Sequence, residues 1–197
     1  MMLRREVAKR VFALEFRESN MAFKEHDDQY APQYLLTPTG AKCNRIFIVG
    51  TLTEKEDVGT NTEYWRARIA DPTGSFLIYA GQYQPEAAQS LSSIEPPQFV
   101  AVVGKPNTYE IGGEIVTSVR PESIQIVDAD TYDLWILDTA RQTLQRLKRF
   151  DEGSEDVTKA KEHYSPNIEH YKQMVLDALK TLSKGAEEVS VIDLSEI

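Results

Sequence analysis

Residues 70–85 read ADPTGSFLIYAGQYQP. Within this stretch, Asp71 can cap its own backbone, Pro72 sets φ for a turn, and Gly74 accepts φ > 0 without a Cβ clash. The flanks alternate. Upstream, Trp65, Ala67 and Ile69 interleave with Tyr64, Arg66 and Arg68; downstream, Phe76, Ile78 and Ala80 interleave with Leu77 and Tyr79. A period of two on both sides of a turn predicts a β-hairpin with one apolar face. The other face carries Tyr, Arg, Arg, Leu and Tyr. It reads either as a solvated surface or as a platform for a flat, negatively charged ligand.

Working outward, Arg45–Thr53 (RIFIVGTLT) predicts a long strand with Gly50 in its middle, a position that often marks a bulge or bend. The segment EKEDVGTN is a loop. After the hairpin, Pro85–Leu91 predicts one or two helical turns with Pro85 at the first position, stopped by Pro96-Pro97. Gln98–Lys105 is a near-continuous apolar strand, 106–113 (PNTYEIGG) a loop, and 114–127 a last strand bent at Pro121. Three strands, a helix and two strands form the layout of an OB-fold, a five-stranded Greek-key barrel. An SH3-like barrel is the alternative, and the helix at 85–91 favours the OB-fold.

The barrel therefore spans 45–127, flanked by extensions. Residues 3–18 place Val7, Val11 and Leu14 at helical spacing, with Phe12 and Phe16 nearby. Residues 19–44 predict an extended segment wrapping the barrel, with Tyr30, Tyr34, Leu35 and Leu36 as anchors. A helix over 129–150 is capped by Asp128 or Asp130. Residues 151–164 form an acidic linker. A final helix over 165–184 has Ser165 as cap, Pro166 at its first position and Gly185 as stop. Its stripe of Ile168, Tyr171, Val175, Leu176, Leu179 and Leu182 needs a partner surface. The tail EEVSVIDLSEI reads as a solubilising acidic end.

The net charge is −9, with most of the acid in the last third of the chain. That argues against a nonspecific nucleic-acid binder, which presents a basic footprint. No run is long and apolar enough for a membrane span or a signal peptide. The lone Cys43 excludes an internal disulfide and fits a cytoplasmic setting. His26, His163 and His170 stand apart from one another and from Cys43, so neither a metal site nor a cofactor is expected. No nucleophile–base set or phosphate loop points to catalysis. A non-enzymatic protein is the expectation.

Four segments carry a resemblance: TPTGAKCNRIFIVGTLTE, ARIADPTGSFLIYAGQYQPEA, EPPQFVAVVGK and TSVRPESI. Together they resemble the archaeal replication-protein-A-associated proteins, from about residue 3 to about residue 150. The resemblance implies an OB-fold subunit of a replication protein A (RPA)-type single-stranded DNA-binding complex in replication, recombination or repair. It implies an RPA-type protein as partner and leaves open whether this chain itself touches DNA.

Single-strand binders stack bases on aromatic rings and track phosphates with Lys and Arg. OB-folds place the ligand across strands two and three. The candidate nucleic-acid contacts are therefore Tyr64, Arg66, Arg68, Leu77, Tyr79, Lys105, Tyr109 and Arg120. Arg66 and Arg68 could instead pair with Glu54, Glu63 or Glu114, and Arg120 faces either the groove or an acid. Trp65 shares phase with Ala67 and Ile69 and belongs to the core. Gly81 permits a tight strand-to-helix connection, and Tyr83 covers the barrel's end. The cluster Arg141, Arg146, Lys148 and Arg149 reads as a solvated helix face. By analogy with trimeric replication protein A, Trp135, Leu137 and Leu144 are candidate partner contacts, and the C-terminal helices offer a route to a homo-oligomer. A protein scaffold that never touches DNA, or an RNA- or tRNA-binding module, are the alternatives.

Overall fold

The β-hairpin around Asp71–Gly74 is the centre of a closed barrel. The computed structural model describes residues 6–27 and 31–182. In chain order the elements are α1 (Ala13–Arg17), β1 (Met21–Lys24), β2 (Gln33–Leu36), β3 (Lys42–Cys43), β4 (Ile46–Asp57), β5 (Trp65–Asp71) and β6 (Gly74–Ala80). There follow α2 (Pro85–Ser93), β7 (Gln98–Ile111), β8 (Glu114–Ile126), α3 (Ala129–Lys148), a 3-10 turn (Arg149–Glu152), α4 (Glu155–Tyr164) and α5 (Ile168–Leu179). Strands β4–β8 close in the order β4-β5-β6-β8-β7. The β6–β8 pair is parallel, at Ile78↔Val119, and the others are antiparallel. With α2 between the third and fourth barrel strands, this is the OB-fold.

The predicted alternation of the hairpin is met. Ala67, Ile69, Phe76, Ile78 and Ala80 are buried, and Trp65 is partly buried against them. Gly50 marks a close approach, because a Cβ there would lie 2.5 Å from the Ala70 carbonyl oxygen. The bulge itself falls between Leu52 and Glu54. Opposite Val103 and Gly104, the ladder steps from Ser123 to Pro121, which is the bend expected at that proline.

Several boundaries differ from the sequence expectations. Residues 106–113 are not a loop: β7 and β8 run as one long ribbon, paired out to Ile111↔Glu114. Gly112 and Gly113 make its turn with φ of 60° and 88°, the hand a two-residue hairpin requires. The first strand continues past Thr53 through Asp57. The helix expected over 3–18 shrinks to α1. Val7 is 82% exposed, and Lys9 bridges Ile46 in parallel, with Phe47 N–H donating to the Lys9 carbonyl at 2.9 Å.

Helix α1 is capped from outside. Its own N-cap, Phe12, offers no side-chain acceptor. The Asp71 carboxylate accepts from Ala13 N at 2.7 Å, and Thr73 Oγ1 accepts from Leu14 N at 3.0 Å. The same carboxylate accepts from Thr73 N, Thr73 Oγ1 and Gly74 N. Burial pushes the Asp71 carboxyl up, while these donors act to hold it down. The cap seats Phe16 beside Phe76 (5.5 Å between centroids) and Phe12 edge-on to Trp135 (5.7 Å).

The extensions form a second layer that shares the barrel's core. The segment expected to wrap as extended chain pairs into a three-stranded sheet, β1-β2-β3. Tyr34, Leu35 and Leu36 are buried there as expected; Tyr30 lies outside the described residues. The acidic linker is helix α4 up to Tyr164. Ser154 caps it through Val157 N, Glu155 and Asp156 occupy the first turn where the helix dipole favours negative charge, and Val157 and Ala160 are buried. Ser165 then ends α4 at φ 45° instead of starting α5, whose cap is Asn167. The stripe of α5 packs on α3, with Tyr171, Val175, Leu179 and Leu182 buried. Gly185 and the acidic tail lie outside the described residues.

Arg146 was expected on a solvated face, but it turns inward. Its guanidinium meets Glu15, which is fully buried, at 3.1 Å, and donates from Nε to Thr39 Oγ1 at 2.9 Å. Thr39 Oγ1 donates in turn to Glu15 at 2.5 Å. Removing one partner of such a pair strands the other charge. Arg146→Met is expected to lower unfolding free energy by about 3–5 kcal/mol in urea titrations, and Glu15→Gln in the same chain to restore part of it.

Candidate nucleic-acid interface

The β5–β6 register places Arg66 opposite Tyr79 and Arg68 opposite Leu77, all on the outer face. Tyr64 enters from the β4–β5 loop. That loop is closed by Asp57, whose Oδ1 accepts from Gly59 N and Tyr64 N at 3.0 Å each, holding this carboxyl below its usual range. The Tyr64 ring stacks on Tyr79 at 5.7 Å and 16°. Tyr109, carried in by the β7–β8 ribbon, meets Tyr79 edge-on at 6.2 Å. Burial first, then hydrogen bonding to Tyr79, pushes the Tyr109 phenol up to about 12. Three predicted residues distant in sequence thus form one aromatic cluster.

Gly81 has a role beyond permitting a turn. A Cβ there would fall 2.6 Å from Tyr64 Cδ2, so the missing side chain makes room for the Tyr64 ring. The Gly81–Gln84 connection is tight as expected: Gln84 N donates to the Gly81 carbonyl at 2.8 Å. Tyr83 does not cover the barrel. It is 84% exposed, the most exposed of the described tyrosines.

The arginines are not bare. Arg66 pairs with Glu56 at 2.6 Å and Arg68 with Glu54 at 2.5 Å, along the β4–β5 ladder. Glu54 was an expected partner. Glu56 was not among the expected partners; the strand's continuation through Asp57 brings it opposite Arg66. Both pairs are about half exposed, so each is worth only about 0–1 kcal/mol. Arg120 pairs with no acid among the described residues. It donates to Asn107 Oδ1 at 2.7 Å, opposite the exposed Lys105 in the β7–β8 ladder.

The expected partner contacts separate. Trp135 is 2% exposed and donates from Nε1 to the Phe47 carbonyl at 2.9 Å, so it belongs to the core instead of a docking face. Leu144 is also largely buried. With Leu137 it lines an apolar groove between α3 and α5, bordered by Arg141, Gln145 and Lys148.

No family model matches the chain, and no curated protein matches it in sequence. Among solved structures, it is similar to a chain of a replication protein A heterotrimer bound to ssDNA, at 17% identity and a TM-score of 0.45, covering 64% of this chain and 88% of that one. It is also similar to the second single-stranded DNA-binding protein of Mycobacterium smegmatis (19%, TM-score 0.37, covering 42% and 84%). A third likeness is to an OBody bound to hen egg-white lysozyme (13%, TM-score 0.35, covering 43% and 80%). At these scores the likenesses assign no function.

Two outcomes test this geometry. Gly81→Ala is expected to displace Tyr64 from Tyr79, visible in near-ultraviolet circular dichroism, at a stability cost below about 1 kcal/mol because the exposed ring can swing aside. In site-resolved NMR of ¹³C-labelled tyrosine, Tyr109 is expected to titrate at about 12, and Tyr79→Phe to move that titration down toward the ordinary value near 10.

The chain is built as an OB-fold barrel with a tyrosine cluster gathered on Tyr79 of its third barrel strand from the β4–β5 loop and the β7–β8 ribbon.

Proposed function

We propose that this protein is a non-catalytic subunit of an archaeal RPA-type complex that binds single-stranded DNA in replication, recombination or repair. The carrying observation is the Tyr64–Tyr79–Tyr109 cluster. It occupies the barrel face where OB-folds take single strands, between the β4–β5 loop and the β7–β8 ribbon. Base stacking on one ring is worth about 1–3 kcal/mol, so a partly exposed tyrosine with adjacent cations gives useful affinity without sequence readout. Arg66, Arg68, Lys105 and Arg120 supply the phosphate contacts in this reading. The four-segment resemblance adds the RPA-type partner, and the groove at Leu137 and Leu144 is the surface for it or for a second copy.

A second reading has its own support. Glu54 and Glu56 already neutralise Arg68 and Arg66, and the chain carries a net charge of −9. In that reading the barrel is an assembly scaffold and the partner supplies the DNA contact. An RNA- or tRNA-binding module uses the same stacking chemistry and differs through 2′-OH contacts.

Fluorescence anisotropy with labelled oligo-dT tests the proposal. The protein alone is expected to bind, with affinity falling steeply as salt rises. Tyr79→Ala with Arg66→Ala is expected to weaken binding about tenfold or more. Binding that appears only after an RPA-type partner is added would favour the scaffold. Preference for an oligo-U strand over oligo-dT would favour the RNA module.

A further inference from the structure

The sequence singled out the β6–α2 connection, GQYQ, as structural. Its exposed Tyr83 stands on a ridge between two depressions. One is lined by the β4–β5 loop, Tyr64 and Gly81. The other is lined by Lys105, Arg120, Pro121, Glu122 and the start of α2 at Pro85 and Glu86. Tyr83 and Gln84 border both. The second depression has a volume of about 420 Å³, which is room for a nucleotide-sized group.

We infer that the single strand leaves the tyrosine cluster across this connection, with a base on Tyr83 and the following phosphates on Lys105 and Arg120. This rests on the single-strand reading above and gives the bound strand its route. Two exits from the cluster are available, and charge separates them. Along β5 the strand would meet Arg66 and Arg68 only beside Glu56 and Glu54, so each phosphate contact would compete with an existing ion pair. Across the connection, Lys105 makes no ion pair among the described residues, and Arg120 is held by the neutral Asn107. Of the acids there, Glu122 is engaged by Arg45 at 2.7 Å, which leaves Glu86 to oppose two cations. The Asn107 bond also fixes the Arg120 guanidinium, and Tyr83 offers most of its ring to solvent. A flat exposed ring beside two cations matches a base and its phosphate.

The test measures binding of a labelled oligo-dT of about 12 nucleotides, a length within the range one OB-fold engages. Tyr83→Ala is expected to weaken binding of this strand about tenfold. Lys105→Ala should lower the slope of log affinity against log salt by about 1. Both residues are exposed, so these changes leave the fold intact. Wild-type affinity retained in Tyr83→Ala would overturn the route while leaving the single-strand reading in place. A wild-type protein that does not bind the strand would overturn both.

Discussion

The buried carboxylate of Asp71 is the constraint on which this molecule is assembled. It closes the β5–β6 turn by accepting from Thr73 and Gly74, and it caps α1 by accepting from Ala13. A buried carboxylate without donors would be costly; here every donor comes from a segment that must be in place. The turn and the helix therefore order each other. Phe12 and Phe16 follow the helix to the barrel, and Trp135 follows Phe12, which brings α3 down onto β4.

A second buried charge continues that logic outward. Glu15 lies on α1, Arg146 on α3 and Thr39 in the turn between β2 and β3. Their network ties three segments of the second layer at one point. Farther out, the Tyr164 hydroxyl accepts from Asn20 N and Met21 N and donates to the Leu36 carbonyl, fixing α4 against the small sheet. The helices are thus used up largely in holding the barrel. What they leave open is the Leu137–Leu144 groove, while the barrel leaves open its tyrosine face. Rigidity on one side and exposed aromatic surface on the other suits a binding module, because ordering a preformed platform costs little on binding.

Much of the barrel was legible because its signals are local. The 65–80 alternation, the DPTG turn and Pro85 at a helix start each act over a few residues, and the inward and outward sets of β5 and β6 were read correctly. The ribbon was missed because Pro106 and Asn107 look like breakers, whereas the pairing that extends β7 comes from β8. The acidic stretch at 151–164 was read as solvated linker because charge hides a short apolar stripe. Val157 and Ala160 become a helix face only once the second layer exists to cover them.

The sequence by itself determined the order of the barrel elements along the chain and the hairpin's two faces, both set by periodicity and turn chemistry within one or two elements. The tertiary structure decided which charges are available. Arg146 looks like its solvated neighbours in sequence and is an internal ion-pair partner. Arg66 and Arg68 read in sequence either as free cations or as ion-pair partners, and are paired along a ladder. Lys105 is left without an ion pair among the described residues. Charge availability depends on what another strand or helix places within about 4 Å, and that distance is fixed by register and packing rather than by any local pattern. Tyr83 follows the same rule in reverse: its exposure is set by what the fold does not bring to it.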